Sequence, residues 1–170
     1  YRDERTRARA TEKAARDRDA AQAVLHVLDN GARRALDLDG LKRLLESACE
    51  GLEGAADAAG ILEATLRDLY DGVPMEEVRK SAILAARAQI EKDPAYSYVT
   101  ARLLLNTIRL EVLGEEASQA AMQARYAAYF PEFIRRGIEA ELLDPELAQF
   151  DLARIARALK AERDLKFGYL

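Results

Sequence analysis

The side chains that most often carry chemistry are sparse in this sequence. Its 170 residues contain one cysteine, Cys49, and one histidine, His26, too few for a zinc site built from Cys and His. Cys49 lies on the apolar stripe of a predicted helix, which favours a buried structural thiol over a reactive one. His26 lies between apolar neighbours in a predicted strand, where a half-buried structural imidazole is a commoner role than catalysis.

Charged side chains near two predicted turns are the next candidates. Arg33 and Arg34 follow a tight turn and could bind an anion, although paired arginines on an exposed strand are usually only solvated. Four acidic residues flank the start of a later helix: Asp68, Asp71, Glu76 and Glu77. The helix dipole explains acidic side chains there without a metal. The sequence has neither GxxxxGK[ST] nor GxGxxG. From the residues alone we assign no catalytic, cofactor-binding or metal-ligating residue.

Composition limits the partners and the compartment. A net charge of −4 offers no basic surface to a phosphate backbone, so we expect no nucleic-acid partner. No apolar run approaches the roughly 20 residues that span a bilayer, and the chain starts with the charged string YRDERTRARA, so we expect neither membrane insertion nor secretion. One cysteine cannot form an internal disulfide, which fits a reducing, cytoplasmic location.

A β-hairpin is the first element predicted to position these residues. Asn30-Gly31 separates two short runs, 24–28 and 33–37, and this dipeptide favours a hairpin because both residues tolerate positive φ. Residues 1–22 contain no large aliphatic side chain and therefore cannot bury a face. We interpret 1–22 as the end of an upstream helix plus a linker.

Four helices are predicted to follow the hairpin. Apolar residues recur at helical spacing from Leu38 to Leu52, over 57–70, over 75–90 and from 94 to Gly114. The inward stripe of the first helix would hold Leu38, Leu41, Leu44, Leu45, Ala48, Cys49 and Leu52. Val73-Pro74, before the third helix, is a candidate third strand. We predict an α+β, mostly helical domain over 23–114, in which a small antiparallel sheet caps a four-helix bundle.

Shorter helices are predicted beyond Gly114. Proline and glycine interruptions favour separate helices over 117–130, 132–140 and 152–159, with one more opened by Asp144-Pro145. The sequence stops on an apolar residue without a helix cap, so we expect the chain to have been cut from a longer protein. We expect 115–170 to lead into a further domain.

Several strings from Val24 to Gly114 resemble an ATP-cone, the N-terminal allosteric nucleotide-binding domain of ribonucleotide reductase large subunits. They are the Asn30-Gly31 turn, LDGL at 38–41, ACEGL at 48–52, LYDGV at 69–73 and YSYVTARL at 96–103. Farther along, LLDP at 142–145 and ERDLKFGY at 162–169 resemble the lead-in to the catalytic barrel of the aerobic class I large (alpha) subunit. The opening YRDER is similar to the end of another cone, which would make the unit at 23–114 the inner of two.

The resemblance implies a function for the whole protein. Members of this family reduce ribonucleotides to deoxyribonucleotides, take ATP and dATP as allosteric effectors, and work with a radical-generating small (beta) subunit. The resemblance also implies a homo-oligomer formed through cone contacts. The family's radical chemistry needs several cysteines, so this segment, with one, is expected to be the non-catalytic regulatory part of the enzyme.

The positions that bind nucleotide in the family are substituted here. The family has Lys-Arg on the first strand, an acid on the second, Lys entering the first helix, Thr and His in the third, and a basic residue late in the fourth. In that order this chain has Leu28, Asp29, Arg34, Gly40, Met75, Arg79 and Leu110. A triphosphate carries about four negative charges and needs converging cations and donors. We therefore predict a degenerate cone that has lost its nucleotide.

The sequence alone leaves alternatives to the degenerate cone open. The chain could be a non-enzymatic helical interaction module, or the cone could still bind ATP or dATP through the substituted residues. Leu28 also allows two interpretations. With Val24 and His26 it could form an apolar contact face on the first strand, or it could fill the vacated nucleotide pocket and improve the core.

Overall fold

The β-hairpin forms at the predicted place. In the computed structural model, which describes residues 24–169, β1 (His26–Asp29) pairs antiparallel with β2 (Ala32–Ala35). Asn30 and Gly31 connect the strands with φ values of 50° and 81°, the left-handed conformation that these two residue types tolerate. The predicted helix end and linker at 1–22 lie outside the described residues.

A third short strand completes the sheet. β3 (Val73–Pro74) pairs with β1, and the strand order is β2-β1-β3. The hairpin is antiparallel as predicted, whereas β3 runs parallel to β1, so the sheet is mixed. A parallel neighbour needs a long crossover connection, and the two helices between β2 and β3 provide it.

Four helices pack beneath the sheet and confirm the predicted α+β, mostly helical class. They are α1 (Leu38–Cys49), α2 (Ala58–Arg67), α3 (Met75–Arg87) and α4 (Ala95–Leu113). Asp37 caps α1 by accepting the Gly40 N–H at 2.8 Å, and Asp57 caps α2 by accepting the Ala59 N–H at 3.0 Å. α4 ends at Gly114, whose φ of 74° closes the helix.

The core of this hairpin–helix unit, residues 24–114, is built from aliphatic side chains. Val27 of β1 packs into one cluster with residues from all four helices, among them Leu45, Ile61, Val78 and Val99.

The apolar stripe of α1 is buried as predicted over most of its length. Leu41, Leu45, Ala48 and Cys49 are buried. The prediction was wrong for Leu38, which is 46% exposed because it is the first helical residue and lies ahead of the packed turns.

The C-terminal segment, residues 115–169, differs from its prediction in one helix. Separate helices over 117–130 and 132–140 were predicted, but α5 (Met122–Glu139) continues through Pro131. A proline removes one helical hydrogen bond, yet Met122 and Ile134 are buried on either side of it, so packing holds one helix. Asp144-Pro145 opens a 3₁₀ turn, and α6 (Leu152–Ala158) follows. Over residues 24–169, no helix is both long and apolar enough to cross a membrane.

Candidate functional site

The positions implied to bind nucleotide begin at the sheet. Leu28 lies on β1 beside Pro74 of β3, and Met75 follows as the first residue of α3. Leu28 is 42% exposed and Val24 is 62% exposed, whereas Val27 between them is buried. Leu28 therefore does not fill a buried pocket, and the core-filling interpretation was wrong. It belongs instead to an exposed apolar face formed with Val24, which lies two residues before β1.

The three arginines near these positions all have carboxylate partners. On the hairpin, Arg34 pairs with Asp29 at 2.5 Å and Arg33 pairs with Asp71. Arg79 of α3, with its side chain only 18% exposed, lies 3.6 Å from Glu116 beyond α4. Each of these three arginines is thus already opposed by a carboxylate of the same chain.

The pair formed by Asp29 and Arg34 reverses the charges that the resemblance implies. The family pattern puts a cation on the first strand and an acid on the second, whereas this chain has the acid at Asp29 and the cation at Arg34. In this chain an ion pair joins the two strands, with the acid on β1 and the cation on β2. At Gly40, a Cβ atom would lie 2.4 Å from Asp37 Oδ2, so the capping carboxylate occupies the space where a lysine side chain would start.

Asp71 ties the hairpin to the turn before β3. Its Oδ1 accepts the backbone N–H of His26 at 2.8 Å and lies 3.1 Å from His26 Nδ1, while its Oδ2 accepts from Arg33. The pKa of Asp71 is lowered, mainly by the hydrogen bond that it accepts from the backbone N–H of His26. His26 and Arg33, two of the candidates singled out in the sequence, are therefore held by one structural carboxylate.

The remaining candidates have structural positions as well. Glu76 and Glu77 lie in the first turn of α3, as the dipole argument predicts, and Asp68 follows the last residue of α2. Cys49 is buried, as predicted, and burial raises the pKa of its thiol. Within the described part of the chain, no three His, Cys, Asp or Glu side chains come together in a way that could hold a metal ion.

A second region, which no sequence pattern indicated, lies between the hairpin–helix unit and the C-terminal segment. A cavity of about 540 Å³ opens between the C-terminal half of α1, the middle of α4, residues 117–120 and residues 164–165. Arg102 and Arg109 of α4 line it. Their spacing of seven residues puts them on one helix face, but this spacing alone does not single them out in the sequence.

Arg109 is the centre of a buried polar cluster at this cavity. Its Nη2 donates to Asp164 Oδ2 and to Gln119 Oε1, both at 2.6 Å, and its side chain is only 9% exposed. The Tyr126 hydroxyl also donates to Asp164 Oδ2 at 2.6 Å. Burial raises the pKa of Tyr126, and this hydrogen bond acts in the same direction. The cluster joins α4, α5 and the end of the chain.

Arg102 is held differently. Its Nη1 donates to the carbonyl oxygens of Ala48 and Glu50, both at 2.8 Å, at the C-terminal end of α1. Among residues 24–169 its Nε and that of Arg109 are buried and have no hydrogen-bond partner. Backbone carbonyls carry no full charge, so the positive charge of Arg102 is not neutralised as that of Arg109 is.

Comparison of the sequence with known proteins identifies relatives of the chain, although no protein-family model matches it. It is 29% identical over 173 residues to the ribonucleoside-diphosphate reductase subunit alpha of Chlamydia pneumoniae, a match that covers 100% of this chain. It is 35% identical to that of Chlamydia muridarum over 127 residues, 74% of the chain. With ribonucleoside-diphosphate reductase 1 subunit alpha of Escherichia coli the identity is 24% over 87% of the chain.

These matches cover a small part of each relative. The chain spans 16% of the Chlamydia pneumoniae subunit, 12% of the Chlamydia muridarum subunit and 19% of the Escherichia coli subunit. The family that the sequence resemblance indicated is the one that the comparisons find. The chain is therefore a homologue of one segment of ribonucleoside-diphosphate reductase alpha subunits.

Proposed function

We propose that the chain is the N-terminal regulatory segment of a ribonucleoside-diphosphate reductase alpha subunit, and that its cone no longer binds ATP or dATP tightly. In this proposal 23–114 form the cone and 115–170 lead into the catalytic domain. The whole enzyme would reduce ribonucleotides with a radical-generating beta subunit. The similarity to alpha subunits across the full chain supports the family part of the proposal.

The observation that best supports the loss of nucleotide binding is that three arginines, two on the hairpin and one on α3, are paired with carboxylates. Arg33, Arg34 and Arg79 each contact a carboxylate of this chain. A triphosphate would have to displace these carboxylates or lie beside them, and repulsion from an adjacent acid opposes its binding. Leu28 and Met75 supply no donor at positions where the family has a lysine and a threonine.

Thermal unfolding tests this proposal. A nucleotide that bound only the folded chain with a dissociation constant of about 10 μM would, at about 1 mM, stabilise it by about 2.7 kcal/mol. That stabilisation would raise the melting temperature by about 5–11 °C for a protein of this size. We expect no rise with ATP or dATP beyond that produced by sodium sulfate of equal ionic strength. A nucleotide-specific rise of that size would contradict the proposal.

A second candidate function, an interaction module, is favoured by the exposed apolar face that Val24 and Leu28 form. Val24 and Leu28 are 62% and 42% exposed, and replacing a lysine by Leu28 removes a charge and adds apolar area. In this proposal the cone persists as a contact surface for another cone. Leu28→Lys should then abolish any higher-order assembly on a sizing column and leave the melting temperature unchanged. Assembly that is unaltered by Leu28→Lys would contradict the contact role.

A further inference from the structure

The cavity between α1, α4 and the C-terminal segment has the composition of a small-molecule site. We propose that it binds a small monoanion with an apolar body, of the arylalkyl carboxylate class, and that Arg102 binds the carboxylate. None of the positions implied to contact nucleotide lines this cavity, so the inference is independent of the proposed function.

The size and walls of the cavity select the body of the ligand. Its volume of about 540 Å³ lies within the range of roughly 300–1,000 Å³ that is typical of small-molecule sites. Six apolar side chains line it: Leu44, Ala48, Leu105, Ala117, Ala120 and Leu165. Such walls favour an aromatic or aliphatic body over a sugar or a peptide backbone.

The charges of the cavity select a single negative group. Asp164 neutralises Arg109, whereas Arg102 donates only to backbone carbonyls and, within residues 24–169, has no carboxylate at ion-pair distance. Glu50 also lines the cavity, but it contributes its backbone carbonyl to Arg102. The charge of Arg102 also acts on Glu53, whose pKa it helps to lower, but the two side chains form no ion pair. A cation without a direct ion-pair partner in the described chain matches one anionic group, and a triphosphate would bring about four charges to it.

The geometry of Arg102 determines how the anion would bind. Its Nη1 is taken by two carbonyl oxygens, so the edge formed by Nε and Nη2 remains. That edge matches the two oxygens of a carboxylate in a bidentate contact. The buried Nε without a partner is a donor for which the described chain supplies no acceptor. A bidentate contact therefore requires the guanidinium to rotate until the buried Nε faces the cavity.

An NMR titration of the ¹⁵N-labelled 170-residue chain with 4-phenylbutyrate tests the site. The amide chemical shifts are measured at each ligand concentration. We expect saturable one-to-one binding with the largest shifts at cavity residues such as Ser47, Asn106 and Ser118. The neutral amide 4-phenylbutyramide keeps the apolar body and removes the charge, so it should bind at least tenfold more weakly. Absence of saturable binding, equal affinity for the amide, or shifts centred elsewhere would overturn the proposal.

Variants separate a binding role of Arg102 from a folding role. Arg102→Met removes the cation but also leaves the end of α1 without its donor. Ala117→Leu fills the cavity and leaves Arg102 intact. Both should weaken 4-phenylbutyrate at least tenfold, whereas Arg67→Gln, which removes an exposed arginine of α2, should not change its affinity. If Ala117→Leu folds and binds as the parent chain does, the cavity is not the site. Tighter binding of dATP than of 4-phenylbutyrate to these residues would refute the preference for a monoanion.

Discussion

Removing the carboxylate of Asp164 should destabilise the chain strongly. Asp164 accepts hydrogen bonds from Arg109 and from Tyr126, and it is the carboxylate that neutralises a guanidinium only 9% exposed. Asp164→Ala leaves that cation buried without a counter-charge. Breaking a buried pair in this way costs about 3–5 kcal/mol. We expect about 3 kcal/mol, the lower end of that range, because Asp164 itself remains 21% exposed.

The coupling between Arg109 and Asp164 distinguishes this mechanism from a simple loss of packing. Arg109→Met replaces the cation by an apolar side chain and should cost about 2 kcal/mol, because the partly exposed Asp164 can be solvated. In the double variant Arg109→Met/Asp164→Ala no buried cation remains. Its cost should therefore be about 3 kcal/mol rather than 5, which corresponds to a coupling energy of about 2 kcal/mol.

Urea denaturation measures these free energies of unfolding by linear extrapolation. The exposed pair of Arg125 and Glu115 provides the control, because Glu115→Ala at a solvent-screened ion pair should change stability by no more than about 0.5 kcal/mol. Additive effects of Arg109→Met and Asp164→Ala would refute the reasoning. So would a cost for Asp164→Ala no larger than that of Glu115→Ala.

Three further perturbations test other parts of the structure. Cys49 is buried with a raised thiol pKa, so a thiol reagent should label it slowly in the folded chain and rapidly in denaturant, and fast native labelling would contradict its place in the core. The pKa of Asp71 is lower in the folded chain than in the unfolded chain, so ionised Asp71 stabilises the fold above about pH 4, and this stabilisation is lost as the pH falls through the folded pKa. Asp71→Asn should therefore make the free energy of unfolding, measured by urea denaturation, depend less steeply on pH in the acid range. Pro131→Ala restores a helical N–H within α5 and should raise the free energy of unfolding by about 1–2 kcal/mol in the same assay, whereas a loss of stability would show that Pro131 is needed for packing.

Local sequence signals were enough to predict the main elements of the hairpin–helix unit. The Asn30-Gly31 turn, the periodicity of α1 and the terminal Gly114 are each decided by neighbouring residues, and the structure has all three where they were expected. The direction of β3 could not be predicted from the sequence, because it depends on how the two helices between β2 and β3 pack and bring the chain back beside β1. Pro131 was misinterpreted as a break since the burial of α5 on both sides of it is a property of tertiary packing.

For the candidate site, the sequence predicted only the features that depend on the residue type at a single position. The substitutions of Leu28 and Arg34 can be identified from a family pattern, but the ion pair of Arg34 with Asp29 needs the strand geometry. The contact of Arg109 with Asp164 joins residues 55 positions apart, and one sequence without relatives carries no trace of such a pair. The cavity arises from the same long-range packing and was invisible for the same reason.

The most direct test of the lost nucleotide site is isothermal titration calorimetry of dATP, with ATP alongside, into the 170-residue chain. A matched variant, Leu28→Lys/Asp29→Arg/Arg34→Glu, restores the family's charges on the hairpin and keeps an ion pair between the two strands. We predict no saturable heat for the parent chain with dATP up to about 1 mM, which is about 100 times the dissociation constant assumed above for a binding cone. Stoichiometric binding of dATP or ATP to the parent chain with a micromolar dissociation constant would contradict this account.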